Sequence, residues 1–167
     1  RDWSSDVCSS DLEGFDAGPT PEAVRGAALV ILALPDEVHA EAWSRDIAPH
    51  ASRGQTVGFI HGSSVHFGLV RIPEGIGAVL VAPKGPGTTL RERFTAGQGI
   101  PALLAVHQER DASDGGPSAL ELAKAWAAGL GCARAGVVRT TFGDEAITDL
   151  FGEQAVLCGG MLGLARA

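Results

Sequence analysis

Short apolar runs, separated by turns and by segments of helical period, set the plan of this chain. Residues 27–34 (AALVILAL) form a continuous apolar run that stops at Pro35, the pattern of a strand buried on both faces. Residues 55–60 (QTVGFI) predict a second strand leading into His61-Gly62, and residues 77–82 (GAVLVA) a third leading into Lys84-Gly85-Pro86-Gly87. Residues 101–106 (PALLAV) predict a fourth, and residues 133–139 a further short one. Between the first two runs, Pro35 and Asp36 open a helix. Asp36 is its expected N-cap, Glu37 lies in its first turn, Val38, Ala42 and Trp43 form its inward stripe, and Pro49 follows its end. Residues 118–130 place Leu120, Ala123, Trp126, Ala127 and Leu130 at helical spacing, with Gly131 as the stop. Residues 144–157 are also helical in pattern. Strands alternating with helices predict an α/β fold with a mostly parallel, doubly wound sheet.

Such sheets bind ligands outside the carboxyl ends of their strands. Three strands here end in candidate ligand-binding turns: Pro35-Asp36-Glu37, His61-Gly62 and the KGPG turn. No G-x-G-x-x-G fingerprint follows a strand, so a dinucleotide-binding fold would have its first βαβ unit upstream of Glu13. His61 stands beside a glycine that permits close approach to the backbone, although a lone histidine is commonly structural. His66 is read as structural, His39 and His50 as helix-surface residues, and His107 as a strand-end residue. Lys84 lies in a turn poor in side chains, where backbone N–H groups and its ammonium could meet phosphate or carboxylate. A solvated loop lysine is the alternative, and the turn is no Walker motif.

Asp149 and Glu153 are four residues apart on an expected helix, so they share a face and repel unless a cation lies between them. Hard oxygens without a nearby His or Cys favour Mg2+ over zinc, while a solvated acidic face is the competing reading. Asp144 and Glu145, one turn earlier, read as charges favoured by the helix dipole.

Composition narrows the function classes. The 167 residues carry a formal charge of −7 with 45% hydrophobic and 20% charged residues, which suits a globular domain and disfavours nucleic acid or an acidic membrane surface as partner. No apolar run is long enough to span a bilayer. Cys8, Cys132 and Cys158 have no metal-type spacing and read as reduced thiols of a cytoplasmic protein. Residues 1–12 (RDWSSDVCSSDL) lack either periodicity and resemble a sequencing adaptor read in frame, so they are expected to be a non-native tail. The chain stops in an uncapped, helix-compatible run, and a gene fragment truncated at both ends is expected.

Taken together, HG…HFG, VAPKGPG and TDLFGEQAVLCGG, with ALPDEVHAE, IPALLAVHQ and the segment from Gly131 into AGVV, resemble ketol-acid reductoisomerase (acetohydroxy-acid isomeroreductase) from Glu13 onward. The resemblance implies a Rossmann-type NADP-binding domain lacking its first βαβ unit over residues 13–140. Residues 141–167 would be the start of an all-helical, knotted-type domain. It implies conversion of 2-acetolactate or 2-aceto-2-hydroxybutyrate, 2-hydroxy-3-keto acids, to 2,3-dihydroxy acids of branched-chain amino-acid synthesis. Alkyl migration with Mg2+, two ions in a complete site, precedes reduction by NADPH. By the same resemblance, His61 and Lys84 are catalytic, and Asp149 and Glu153 are metal ligands. Asp36, Glu37, Val38, His39 and Gly87 contact the dinucleotide. A homo-oligomer is implied for the full-length protein. Ser63-Ser64 departs from the aromatic-Asn pair of many relatives. The implied first nucleotide loop and second set of metal carboxylates are absent, so the fragment is expected to be inactive by itself. The competing readings are another Rossmann-type hydroxy-acid dehydrogenase using His61 and Lys84 without metal, and a non-catalytic nucleotide-binding module.

Overall fold

The computed structural model describes Gly14 and residues 16–166. The expected foreign tail at residues 1–12 lies outside them. Helix α1 (Thr20–Gly26) leads into β1 (Leu29–Leu32), α2 (Asp36–Ala42, extended by a π-helical turn Trp43–Ile47), β2 (Thr56–Phe59) and the one-turn α3 (Ser63–His66). Then come β3 (Gly77–Pro83), α4 (Gly87–Thr95), β4 (Ala102–Gln108), α5 (Ala119–Gly129) and β5 (Val137–Arg139). Helix α6 (Phe142–Phe151) passes through a π-helical turn (Gly152–Leu157) into α7 (Gly159–Arg166).

The five strands form one sheet in sequential order. β1, β2 and β3 are parallel, as are β4 and β5, but β3 and β4 run antiparallel with Pro83 opposite Ala102. The reason lies in α4. It buries none of its residues, so it is an excursion at the strand ends and not a crossover packed on the sheet. α5 is the true crossover. Its Ser118 hydroxyl accepts from the Glu121 N–H while Glu121 reaches back to the Ser118 N–H, a capping box, and Ala119, Ala123 and Ala127 lie buried against the sheet. Gly131, at φ 81°, supplies the left-handed stop.

β3 shows how the core divides. Ala78, Leu80 and Ala82 face Leu32, Trp43, Ile47, Val57, Phe59 and Phe142, whereas Val79 and Val81 face Leu104 and the alanines of α5. Two helix details depart from expectation. Pro35, not Asp36, is the N-cap of α2, and Asp36 is its first helical residue, with its carboxylate used elsewhere. The inward stripe of α2 runs through His39 and Trp43; Val38 is exposed and His39 is fully buried, so His39 is not the surface residue its sequence context implied. A rotation of about one residue (~100°) accounts for both changes, because α2 is anchored by polar partners of His39 as well as by apolar burial.

Candidate active site

The parallel arrangement sets the carboxyl ends of β1, β2 and β3 side by side, and each end supplies a polar side chain. Asp36 follows β1, His61 follows β2, and Lys84 follows β3. α6 is then laid across these ends. Its start is held by Thr141, whose hydroxyl accepts from the Asp144 N–H at 3.0 Å. The approach is close: a Cβ on Gly62 would lie 2.2 Å from the Phe142 carbonyl oxygen, so only glycine fits between β2 and α6.

This contact places Glu145 at the centre. Its carboxylate is 1% exposed and accepts three hydrogen bonds: from His61 Nδ1 at 2.8 Å, from the Gly62 N–H at 2.8 Å and from Lys84 Nζ at 2.6 Å. Lys84 Nζ also donates to Asp149 Oδ1 at 2.8 Å, one helical turn along α6. Asp149 Oδ2 and Asp36 Oδ2 each lie 3.7 Å from a His61 ring nitrogen, on opposite sides of the ring. Since a carboxylate only accepts, His61 Nδ1 carries a proton.

The electrostatics follow from these partners. The hydrogen bond to Glu145 raises the His61 pKa above its ordinary value, against the effect of burial. Burial works to lower the Lys84 pKa, but its bonds to Asp149 and Glu145 outweigh this and the ammonium is held more firmly than in water. Burial likewise pushes Glu145 up, and the bonds from His61, Lys84 and Gly62 prevail, keeping it below the usual carboxylate range. The cluster is thus a hydrogen-bonded network in which the Lys84 ammonium and the His61 Nδ1–H face Glu145 and Asp149, with Asp36 at its edge.

The residues singled out from sequence are distributed unevenly. His61, Lys84 and Asp149 come together, with Asp36 at the edge. Glu153 lies exposed at the start of the π-helical turn, four residues beyond Asp149. Glu37 and Val38 are exposed at the start of α2, while His39 is buried beneath it. Gly87 opens α4 with free space above its Cα. Glu145 was not among the expected site residues, although its spacing of four from Asp149 is the same signal that marked Asp149 and Glu153.

Two carboxylates and a histidine, Glu145, Asp149 and His61, offer ligand atoms within 4.8 Å of one another. The Lys84 ammonium bridges Glu145 and Asp149, so these carboxylate oxygens are arranged around a cationic group.

The family model "Acetohydroxy acid isomeroreductase, NADPH-binding domain" matches residues 1–136. The chain belongs to this family. It is 45% identical over 159 residues to a protein of Petrotoga mobilis named ketol-acid reductoisomerase (NADP(+)), covering 95% of this chain and 47% of that protein. A Pyrobaculum neutrophilum protein of the same name is 46% identical over 154 residues, covering 92% and 46%. The chain therefore spans about half the length of the curated relatives it matches. Among solved structures, an NADH-preferring ketol-acid reductoisomerase from an uncultured archean superposes with TM-score 0.87 at 35% identity, over 95% of this chain and 46% of that one. A semialdehyde dehydrogenase NAD-binding protein from Cupriavidus necator, 21% identical with TM-score 0.71 over 94% and 57% of the two chains, shares the fold. The expected Rossmann-type α/β sheet is thus found, within a ketol-acid reductoisomerase NADPH-binding domain.

Proposed function

We propose that this chain is the dinucleotide-binding half of a ketol-acid reductoisomerase that converts 2-acetolactate, or 2-aceto-2-hydroxybutyrate, to the 2,3-dihydroxy acid of branched-chain amino-acid synthesis. The observation that carries the reading is the meeting of His61, Lys84, Glu145 and Asp149 at the carboxyl ends of β2 and β3. Asp149 and Glu153 are the proposed Mg2+ ligands on this chain, with the further carboxylates supplied from outside it. Asp36, Glu37, Val38, His39 and Gly87 are the proposed dinucleotide contacts. Because the His39 side chain is wholly buried, its share of that contact falls to its backbone and to the shape it gives the turn.

Bound Mg2+ supplies polarisation of the substrate's adjacent oxygens, and NADPH supplies the hydride. The residues of this chain do the remainder. Glu145 holds Lys84 and His61 on one carboxylate, so that the Lys84 ammonium can give and recover a proton at the substrate's oxygens. His61 stands beside it, with its Nδ1–H held by Glu145 and its Nε2 toward Asp36. Gly62 lets α6 pack against the end of β2, which leaves Glu145 buried.

The test uses a full-length protein carrying this segment. NADPH oxidation is expected to require both 2-acetolactate and Mg2+, and to fall by about 10³ or more in Asp149→Asn, as when one member of a preorganised site is removed. Oxidation of a hydroxy acid or keto acid that survives chelation and Asp149→Asn would instead establish a metal-free dehydrogenase. The 167-residue chain alone is expected to show no turnover.

A further inference from the structure

Beside the Glu145 cluster lies a second polar link, buried in the core. The His39 ring is 0% exposed and packs edge-on to Phe59, with ring centres 6.3 Å apart. Its Nε2 lies 2.9 Å from the Leu34 carbonyl and its Nδ1 2.6 Å from Ser64 Oγ. A carbonyl can only accept, so Nε2 carries the proton, and in the neutral ring Nδ1 accepts from the Ser64 hydroxyl. One turn away on the same face of α2, Asp36 accepts a hydrogen bond from Ser63 Oγ. Two adjacent residues of α2's inner face are therefore tied to two adjacent residues of α3. Ser64 is itself fully buried, and its carbonyl accepts from the Val70 N–H at 2.8 Å, closing the loop that follows α3.

This matters for His61 because α3 is only four residues long and begins two residues after it. One turn of helix has no intrinsic stability and keeps its place only through tertiary contacts. We propose that the His39–Ser64 and Asp36–Ser63 pairs form a clasp that positions His61, holding Nδ1 on Glu145 and Nε2 toward Asp36, and that joins it rigidly to the turn after β1. His39, Ser63 and Ser64 are thus positioning residues for His61. The link to the dinucleotide turn rests on the functional reading above; the positioning of the ring does not.

The experiment follows the low-field Nδ1–H resonance of His61 by NMR in the full 167-residue chain at fixed pH, without metal or cofactor. In the wild type this proton, held by Glu145, exchanges slowly. In Ser64→Ala and His39→Leu its exchange is expected to accelerate about tenfold, the scale of one lost hydrogen bond. His39→Gln keeps an amide donor for Leu34 and an oxygen acceptor for Ser64, and is expected to restore slow exchange. Ser63→Ala, which removes only the second link, serves if either buried variant fails to fold, and is expected to accelerate exchange as well. Variants that lose thermal stability while His61 Nδ1–H exchange stays at the wild-type rate would overturn the clasp, as would a His39→Gln no better than His39→Leu. Because the readout needs no turnover, failure of the clasp and failure of the proposed reaction are separate results.

Discussion

At the scale of single residues, Glu145 decides the character of the site. It is a carboxylate removed from water, and its three donors are what make that burial tolerable. Glu145→Gln removes the charge and leaves an amide that cannot satisfy Lys84 and His61 together. Breaking a buried ion pair from one side costs about 3 kcal/mol, so urea unfolding should show a loss of that size. A loss under about 1 kcal/mol would mean that solvent replaces the carboxylate freely. The pKa directions give a second expectation. Glu145 is held below its ordinary value of 4.5, so its stabilisation is present above 4.5 and is lost as pH falls through its folded value. His61 is held above its ordinary 6.5, so its contribution is full below 6.5 and is lost as pH rises through its folded value. Melting temperature in chelator-treated buffer should therefore be greatest between 4.5 and 6.5. In His61→Gln the decline on the alkaline side of that window should flatten; an unchanged alkaline limb would assign it to another group. His61, Lys84 and Asp149 were legible in the sequence because each follows a strand or sits at helical spacing beside telling neighbours. Glu145 was not, because a carboxylate in the first turns of a helix has an adequate explanation in the helix dipole, and its burial depends on how α6 docks 83 residues after Gly62.

At the scale of elements, what could be read was whatever has a local cause. The apolar runs became β1 to β4, the amphipathic stripe with its Gly131 stop became α5, and Pro35 marked the break between β1 and α2. Two features had non-local causes and were not legible: the antiparallel turn-back of β4 and the placement of α2 that buries His39. The docking of α6 belongs to this scale too, and it can be tested. Gly62→Ala would press a methyl carbon against the Phe142 carbonyl, and both partners are backbone, so neither can swing aside as a side chain would. The expected result is a destabilisation of about 3 kcal/mol by chemical unfolding. It should be accompanied by loss of the His61 Nδ1–H signal, because Glu145 moves away with α6. Full stability together with an intact His61 signal would show that the helix is not held where this geometry puts it.

At the scale of the whole molecule, an apolar surface adjoins the charged cluster. The carboxyl ends carry the charged cluster, and beyond it α6 and α7 present an apolar surface with nothing against it among the described residues. Phe151 is 68% and Leu164 81% exposed, and Ile147, Leu157, Met161 and Leu162 are more than half exposed. Exposed apolar side chains gathered along one helical stretch favour association, since a second copy can cover them. No helix among the described residues is long and apolar enough to cross a membrane. The chain, expressed alone, is therefore expected to sediment as dimers or larger species whose proportion rises with concentration. The double variant Leu157→Lys/Leu164→Lys should shift it to monomer without altering the His61 Nδ1–H signal, because both side chains lie outside the cluster. Sedimentation of the unmodified chain as a monomer at every soluble concentration would refute this. The result also bears on the reading of function, because the helices left uncovered are continuous with the one that carries Glu145 and Asp149. A second copy covering them would also hold α6, so association and the geometry of the charged cluster should respond together.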